Sequence, residues 1–333
     1  MRFNLLLTLI PLLSFNNSFS QGCCSGGSAS PIAGGTSQGV LNANQLEIAP
    51  NFQHFQSSKF YARDHDTVAM FDRLSSNYLY MRLAYGLSPK LTLSIESGYY
   101  INRTQIGLNG VDTIRTSGIA DLIIFPRYEV YKKCTEKKNT EFVLGLGYKL
   151  PIGSHNDSTV FYTDPTSGKN YYQIAPPNVQ PTNGSNDIIL YSFFFNNYLQ
   201  KKVRIFANSV YVHKGWNSLG QKFGDYASVS LFLGKTIYKR FGLTAQLKAE
   251  WVGKMKTDKL VDMVAFYNVY PESTGNRKVF FAPQISYSYK LFTAYAMTEI
   301  PLYQYLNGSQ IGSQYQFTTG FSYKFDCSKK EMK

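Results

Sequence analysis

Short segments in which apolar and polar residues alternate recur along nearly the whole 333-residue chain, and this repeat constrains the fold more than any other feature. Successive side chains of a β-strand point to opposite faces, so alternation with a period of two indicates strands with one apolar and one polar face. A transmembrane β-strand needs about 9–11 such residues. The pattern is clearest in residues 91–101, 142–150, 241–251 and 315–325.

About twelve segments of this kind are predicted, centred near Ala49, Met81, Ile95, Ile124, Leu146, Phe193, Phe206, Leu231, Leu247, Ile285, Ala296 and Phe317. Their connections alternate in length, from a few residues at 87–90 or 200–202 to long stretches such as 152–186. Short turns at one end and long loops at the other are typical of bacterial outer-membrane barrels. The sequence therefore predicts an all-β fold: a closed antiparallel transmembrane β-barrel of about 12 strands, with short periplasmic turns and long extracellular loops.

A soluble β-sandwich or a lipocalin-like barrel also alternates, but it places polar residues outside and apolar residues inside. Here one face is aromatic and aliphatic, while the other face often carries charges. Buried charges need water or a partner, and lipid outside with a polar lumen inside satisfies both faces. The predicted lumen-lining residues are Arg82, Glu96, Asp121, Arg127, Glu129, Lys149, Arg204, Lys248, Glu250 and Glu299.

The N-terminus has the features of an export signal. One positive charge precedes an apolar stretch at residues 5–13, and Ser18-Phe19-Ser20 fits a small-x-small cleavage site. We therefore predict a cleaved signal peptide at 1–20, a Gly/Ser/Cys-rich periplasmic strap at 21–44, the barrel at 45–325 and a periplasmic tail at 326–333. A lipoprotein acylated at Cys23 is less favoured, because no aliphatic residue lies three positions upstream. The predicted location is the outer membrane of a Gram-negative bacterium, with outer-membrane lipid as a partner.

The last predicted strand carries a more specific pattern. Gly320, Phe321, Tyr323 and Phe325 resemble the C-terminal insertion signal of bacterial outer-membrane proteins. That resemblance implies folding by the barrel-assembly machinery. The eight-residue tail that follows departs from the usual terminal aromatic residue.

Three segments in the middle of the chain resemble a known family. They are Gly118-Ile119-Ala120-Asp121-Leu122 with Pro126-Arg127-Tyr128, then residues 145–153, and then residues 181–187. Together they resemble outer-membrane transporters grouped as the "MetA pathway of phenol degradation" family, which is distantly similar to FadL-type channels. The departure is Ala120, where that family usually has Gly. The resemblance implies a barrel that passes small, often hydrophobic, solutes.

The same residues have ordinary physical interpretations. Gly145 and Gly147 point inward, where they leave space in the lumen or permit a coiled strand. Asp121 is expected inside the barrel near the outer rim, paired with Lys149 or Arg127 or in contact with a solute. The aromatic pairs of loop 152–186 either line a binding vestibule or pack the loop down.

The four cysteines, Cys23, Cys24, Cys134 and Cys327, all fall on the predicted periplasmic side. An exported protein meets oxidising conditions, so disulfides from the strap to the turn or to the tail are candidates. Cys23 and Cys24 are a weak candidate site for a soft metal such as Cu(I). Otherwise we predict no metal and no cofactor.

The chain is basic, with a formal net charge of +13, and many of its cations lie in the short turns, as in Lys132-Lys133 and Lys201-Lys202. No basic helix or finger-like spacing accompanies them, so nucleic-acid binding is not expected. No catalytic motif is present, and we predict that the chain is not an enzyme. The leading hypothesis is an outer-membrane channel for small solutes. The alternatives are a non-transporting structural or partner-binding barrel, in which strap and charges fill the lumen, and metal handling through the cysteines.

Overall fold

The computed structural model describes residues 39–327, apart from 239, 264 and 266–268. The predicted signal peptide, most of the strap with Cys23 and Cys24, and residues 328–333 lie outside the described residues.

Twelve long strands form the body of the molecule, and every predicted segment centre falls inside one of them. They are β1 (Gln45–Ser57), β2 (Arg73–Ser88), β3 (Leu91–Ile106), β4 (Leu122–Cys134), β5 (Lys138–Leu150), β6 (Asp187–Tyr198), β7 (Val203–Lys214), β8 (Tyr226–Ile237), β9 (Phe241–Val252), β10 (Asn276–Tyr289), β11 (Phe292–Ile311) and β12 (Tyr315–Asp326).

Each strand pairs antiparallel with its neighbours in the chain, and β1 closes the ring by pairing with β12. The closing register runs from Gln45 opposite Asp326 to Gln56 opposite Tyr315. Closure leaves no unpaired strand edge, which a lipid environment would not tolerate. The predicted fold, a closed antiparallel barrel of 12 strands, is confirmed.

The connections differ at the two ends of the barrel. At one end, five turns of two to four residues join the strands. At the other end the connections are mostly long loops, and the longest of them spans residues 151–186. The last connection at the long-loop end, residues 312–314, is short because β11 itself extends for 20 residues. The extended part of β11 pairs with a short strand, Phe60–Arg63, from the first long loop. Among the described residues, no helix is long and apolar enough to cross a membrane.

Other short elements sit in the long loops. Strand Ile114–Ile119 pairs with β3, strands Ser158–Thr163 and Asn170–Ile174 form a hairpin, and Gln221–Lys222 pairs with Lys256–Thr257. Single 3₁₀ turns lie at Leu108–Gly110 and Pro271–Ser273.

The outer face of the barrel is apolar. Leu146 is 57% exposed and Leu231 is 54% exposed, and exposed large apolar side chains lie on every barrel strand except β1. Outward tyrosines near the strand ends, such as Tyr148 and Tyr289, resemble the aromatic girdles of membrane barrels. So much contiguous apolar surface requires a cover, and lipid provides it.

The seam that closes the barrel contains a glycine that nothing larger can replace without a shift. A Cβ on Gly320 would lie 2.6 Å from Asn51 Cβ and 2.7 Å from the Pro50 carbonyl oxygen. We expect Gly320→Ala to destabilise the barrel by about 1–3 kcal/mol through overpacking, measured by urea unfolding of the protein refolded in vesicles. The control is Gly234→Ala, whose added methyl meets only side-chain atoms at 3.2 Å or more. Equal stability of the two variants would contradict the prediction.

Candidate functional site

The interior of the barrel holds every predicted lumen-lining residue. Nine of them are buried and the tenth, Glu250, is half-buried. They do not form one cluster. They form separate groups at different heights in the barrel. Some of these groups include ion-pair partners that the sequence analysis did not name, such as Glu47 and Asp187.

The first group lies on β1, β2 and β3. Arg82 donates a hydrogen bond to Glu47 at 3.0 Å, and it lies opposite Glu96 in the register of β2 and β3. The Tyr80 hydroxyl donates to one oxygen of Glu96, and the Ser94 hydroxyl donates to the other at 3.0 Å. Because none of these side chains is more than 5% exposed, their charges are satisfied by one another rather than by bulk water.

The second group is centred on Lys248 of β9. Its ammonium lies 2.8 Å from Glu299 of β11 and 3.5 Å from Glu250. It also lies 4.4 Å from the centre of the Phe280 ring, at cation–π distance. Lys248 is fully buried, so this group is an ion cluster closed off from solvent.

A third group of inward side chains is an aromatic and aliphatic cluster. Its rings lie on β4, β6, β7 and β8, and we call it the aromatic wall, defined by Phe125, Tyr191, Phe193, Phe206 and Phe232. Phe206 and Phe232 stack at 4.3 Å between ring centres, and Phe125 meets Tyr191 edge-on at 5.5 Å. Because β4–β8 are contiguous in the ring, this wall faces the charged groups on β9–β11 and β1–β3, which we call the charged wall. Arg127 and Glu129 of β4 and Arg204 of β7 are also buried inside, so some charges lie beside the aromatic wall.

The two inward glycines of β5 make room for the aromatic wall. A Cβ on Gly145 or on Gly147 would lie 2.9 Å from the ring of Phe125. The space that these glycines leave in the lumen is therefore filled by the Phe125 ring of the adjacent strand.

The family-like segments meet at the long-loop rim. Lys149 Nζ lies 2.6 Å from Asp121 and 2.9 Å from Asp187, and it donates a hydrogen bond to the Asn183 side chain. Burial raises the pKa of the Asp121 carboxyl above its ordinary value, and the Lys149 ammonium opposes that shift. This ion cluster ties the ends of β4, β5 and β6 to the base of loop 151–186.

The base of that loop folds into the long-loop mouth. Val179 and Ala175 are buried against Leu74 of β2, with Phe55 and Ile311 packed around them. We call residues 175–182 the loop plug. It is held to β3 and to the short strand Ile114–Ile119 by three hydrogen bonds: the Thr116 hydroxyl donates to the Val179 carbonyl, Arg103 donates to the Gln180 carbonyl at 2.7 Å, and Asn178 donates to Gln105 at 2.7 Å.

The rest of the loop forms the hairpin, on which Tyr162, Tyr171 and Tyr172 are all exposed. The rings of Tyr162 and Tyr171 are neighbours across the hairpin, with 6.1 Å between their centres. These three tyrosines therefore do not pack the loop down; its non-aromatic base does, through Ala175 and Val179.

A second segment crosses the short-turn mouth. The Val40 backbone N–H donates to Glu141 of β5 at 3.0 Å, and the Leu41 N–H donates to Thr92 of β3 at 2.8 Å. Leu41 is buried, and Val40 packs against the aromatic wall. We call residues 39–44 the N-terminal plug.

The described cysteines lie at the short-turn end. Cys134 ends β4 and Cys327 follows β12, and both are exposed free thiols that are not joined to each other. Their pairing with Cys23 or Cys24 involves residues outside the described part. Within residues 39–327, no group of three His, Cys, Asp or Glu side chains is placed to hold a metal ion.

Positive charge is concentrated at the same end. We call this set the short-turn basic ring: Lys90, Lys132, Lys133, Lys137, Lys138, Lys201, Lys202, Lys235, Arg240, Lys290 and Lys324. Among the described residues at the short-turn end of the barrel that do not point into the lumen, only Glu136 and Asp326 are acidic. The long-loop end carries cations and anions in nearly equal numbers, so the ring accounts for most of the excess charge.

Two sets of interior residues were missed by the sequence analysis. Glu47 and Asp187 could have been found, because each falls at an inward position of an alternating segment. The inward rings of Phe193, Phe206 and Phe232 could not have been found in this way. Their segments are apolar on both faces, so the alternation of apolar and polar residues is lost.

A closed 12-strand barrel with an apolar outer face and charges inside has the fold of an outer-membrane β-barrel protein. No family model and no curated protein matches the chain, so the resemblance to the phenol-degradation family stays a prediction. A solved COG4313 outer membrane channel from Pseudomonas putida F1 is 14% identical with a TM-score of 0.64, covering 86% of this chain and 97% of that one.

Two further solved structures are less similar. A Pseudomonas aeruginosa FadL homologue is 6% identical with a TM-score of 0.41, covering 85% of this chain and 90% of that one. The KdgM porin in complex with disordered oligogalacturonate is 10% identical with a TM-score of 0.41, covering 84% and 99%.

Proposed function

We propose that this chain is an outer-membrane channel for the passive passage of small amphipathic solutes. The observation that carries the proposal is the two-sided interior, in which the aromatic wall faces the charged wall across the lumen. A solute with an apolar body and a charged end finds a matching surface on each side. The solved structure with the TM-score of 0.64 is itself called an outer membrane channel, which supports the proposal.

The construction of the two plugs also supports a channel. Neither plug is a strand of the barrel, and each is held by a few hydrogen bonds together with a small set of buried apolar contacts. A single hydrogen bond contributes a net stability of about 0.5–1.5 kcal/mol. Displacing either plug breaks only these local contacts and leaves all strand pairings intact.

Uptake into liposomes that contain the refolded chain tests this function. L-phenylalanine and glycine are both zwitterions, and they differ in one apolar group. We expect phenylalanine to enter faster than glycine, because the aromatic wall favours its ring. A plain water-filled pore would favour the smaller glycine, so the order of the two rates is diagnostic.

Two pairs of variants test the role of the wall. Phe206→Leu with Phe232→Leu removes the stacked rings, and we expect the preference for phenylalanine to fall. Phe241→Leu with Phe281→Leu changes outward rings that are 44% and 37% exposed, and it should leave the preference unchanged. Uptake no faster than in empty liposomes for either solute would contradict the proposal.

A non-transporting barrel is the second candidate function. It is favoured by one observation, namely that the described inward side chains are almost completely buried and both mouths are crossed by the plugs. Such a barrel would show neither solute uptake nor openings in planar bilayers. The same measurements therefore separate the two functions.

A further inference from the structure

A groove of about 650 Å³ runs across the outer face of β7–β12. Small outward side chains form its floor: Ala245, Pro283, Ala296 and Thr298. Larger ones, such as Leu243 and Phe317, form its walls. A barrel wall normally presents a convex surface to lipid, and here the small residues leave a concave apolar surface instead.

The groove begins at the short-turn basic ring. Lys235 is exposed and lines the groove, and it lies two residues before the short-turn end of β8. In the register of the sheet, Lys235 lies opposite Leu243, and Leu243 lies opposite Ile285. At this end the groove thus opens at the level where lipid headgroups meet the barrel.

From there the groove runs away from the short-turn end, along the apolar outer face of β10–β12. Ile285 is four residues from the short-turn end of β10, Thr298 is six residues into β11, and Phe317 is nine residues from the end of β12. This rise follows from strand tilt, because a row perpendicular to tilted strands climbs along the barrel axis. One end of the groove is therefore basic and interfacial, while the other is apolar and deep in the membrane.

From this geometry we infer that the groove is a binding site for an anionic glycerophospholipid of the inner leaflet. The phosphate lies at Lys235, and an acyl chain occupies the floor between Leu243 and Phe317. Charge complementarity identifies the headgroup, since the ring around Lys235 is strongly cationic and a flexible lysine extends toward the interface. This inference goes beyond the proposed channel and holds whether or not the lumen conducts.

Native mass spectrometry of the refolded, delipidated full chain tests the site. The probes are palmitoyl-oleoyl phosphatidylglycerol and palmitoyl-oleoyl phosphatidylethanolamine, which share their acyl chains and differ in charge. We expect one phosphatidylglycerol to be retained in preference to phosphatidylethanolamine. Lys235→Gln should reduce that preference about fivefold, as expected for one lysine near an anionic surface. Lys169→Gln at the other end should change nothing.

Filling the groove tests where the acyl chain lies. Ala245→Phe occupies the floor, and we expect it to lose both lipids. Ala249→Phe is the matched control, because it lies on the same face of β9, four residues away and outside the groove. Unchanged retention in Ala245→Phe would overturn the site, and so would equal loss in the two variants. A dimer that disappears only in Ala245→Phe would also overturn it, because a second copy would then occupy the groove.

Discussion

Deleting residues 155–181 and joining Ser154 to Thr182 through an Asn-Gly turn is expected to convert a barrel with rare openings into one with steady conductance. The deletion removes the loop plug and its buried contacts with Leu74 and Phe55. Barrel geometry should survive, because the Thr182 N–H already donates to the Ser154 carbonyl at 3.1 Å, so the two ends are adjacent. The measurement is single-channel recording in planar bilayers.

A smaller deletion provides the control. The Ala175 N–H donates to the Asp157 carbonyl at 2.8 Å, so residues 158–174 are removable with the same two-residue turn. That variant loses the exposed hairpin and keeps the loop plug, and its conductance should match that of the full chain. If the two deletions conduct equally, the plug does not close this mouth. If the larger deletion stays silent, the N-terminal plug or the wall side chains close the lumen by themselves.

Replacing Lys248 by Met is expected to destabilise the barrel by about 3–5 kcal/mol, because it leaves the buried carboxylate of Glu299 and the half-buried carboxylate of Glu250 without their shared cation. The measurement is urea unfolding from vesicles, followed by fluorescence of Trp251 on the same strand. Neutralising the carboxylates as well, in Lys248→Met with Glu250→Gln and Glu299→Gln, should recover most of the loss.

The matched control is an ion pair of the same length at the surface. Lys254 and Glu272 also lie 2.8 Å apart, but both are exposed, and water screens them. Lys254→Met should therefore leave the unfolding midpoint unchanged. A loss in Lys248→Met as small as in Lys254→Met would show that the interior is wet, and it would contradict a sealed ion cluster.

Much of the architecture followed from the pattern of residues. The segments around Leu146 and Leu247 alternate cleanly, because one face meets lipid and the other carries charge or glycine. Strand number, the contrast between short turns and long loops, and the inward direction of Arg82, Lys149 and Lys248 all follow from that alternation. Asp121 was expected beside Lys149 or Arg127, and the structure pairs it with Lys149.

By itself the sequence determined which side chains face inward in the segments that alternate cleanly, because side-chain direction in a strand is a local property with a period of two. It did not determine which inward residues meet. The strands β1 and β12 are neighbours in the barrel although they lie at opposite ends of the chain, and residues that meet inside the barrel come from segments far apart in the sequence. Only the tertiary structure decided that Glu47 pairs with Arg82, that Phe125 fills the space over Gly145, and that segments 39–44 and 175–182 cross the mouths. Those contacts depend on shear and closure, which no single segment encodes.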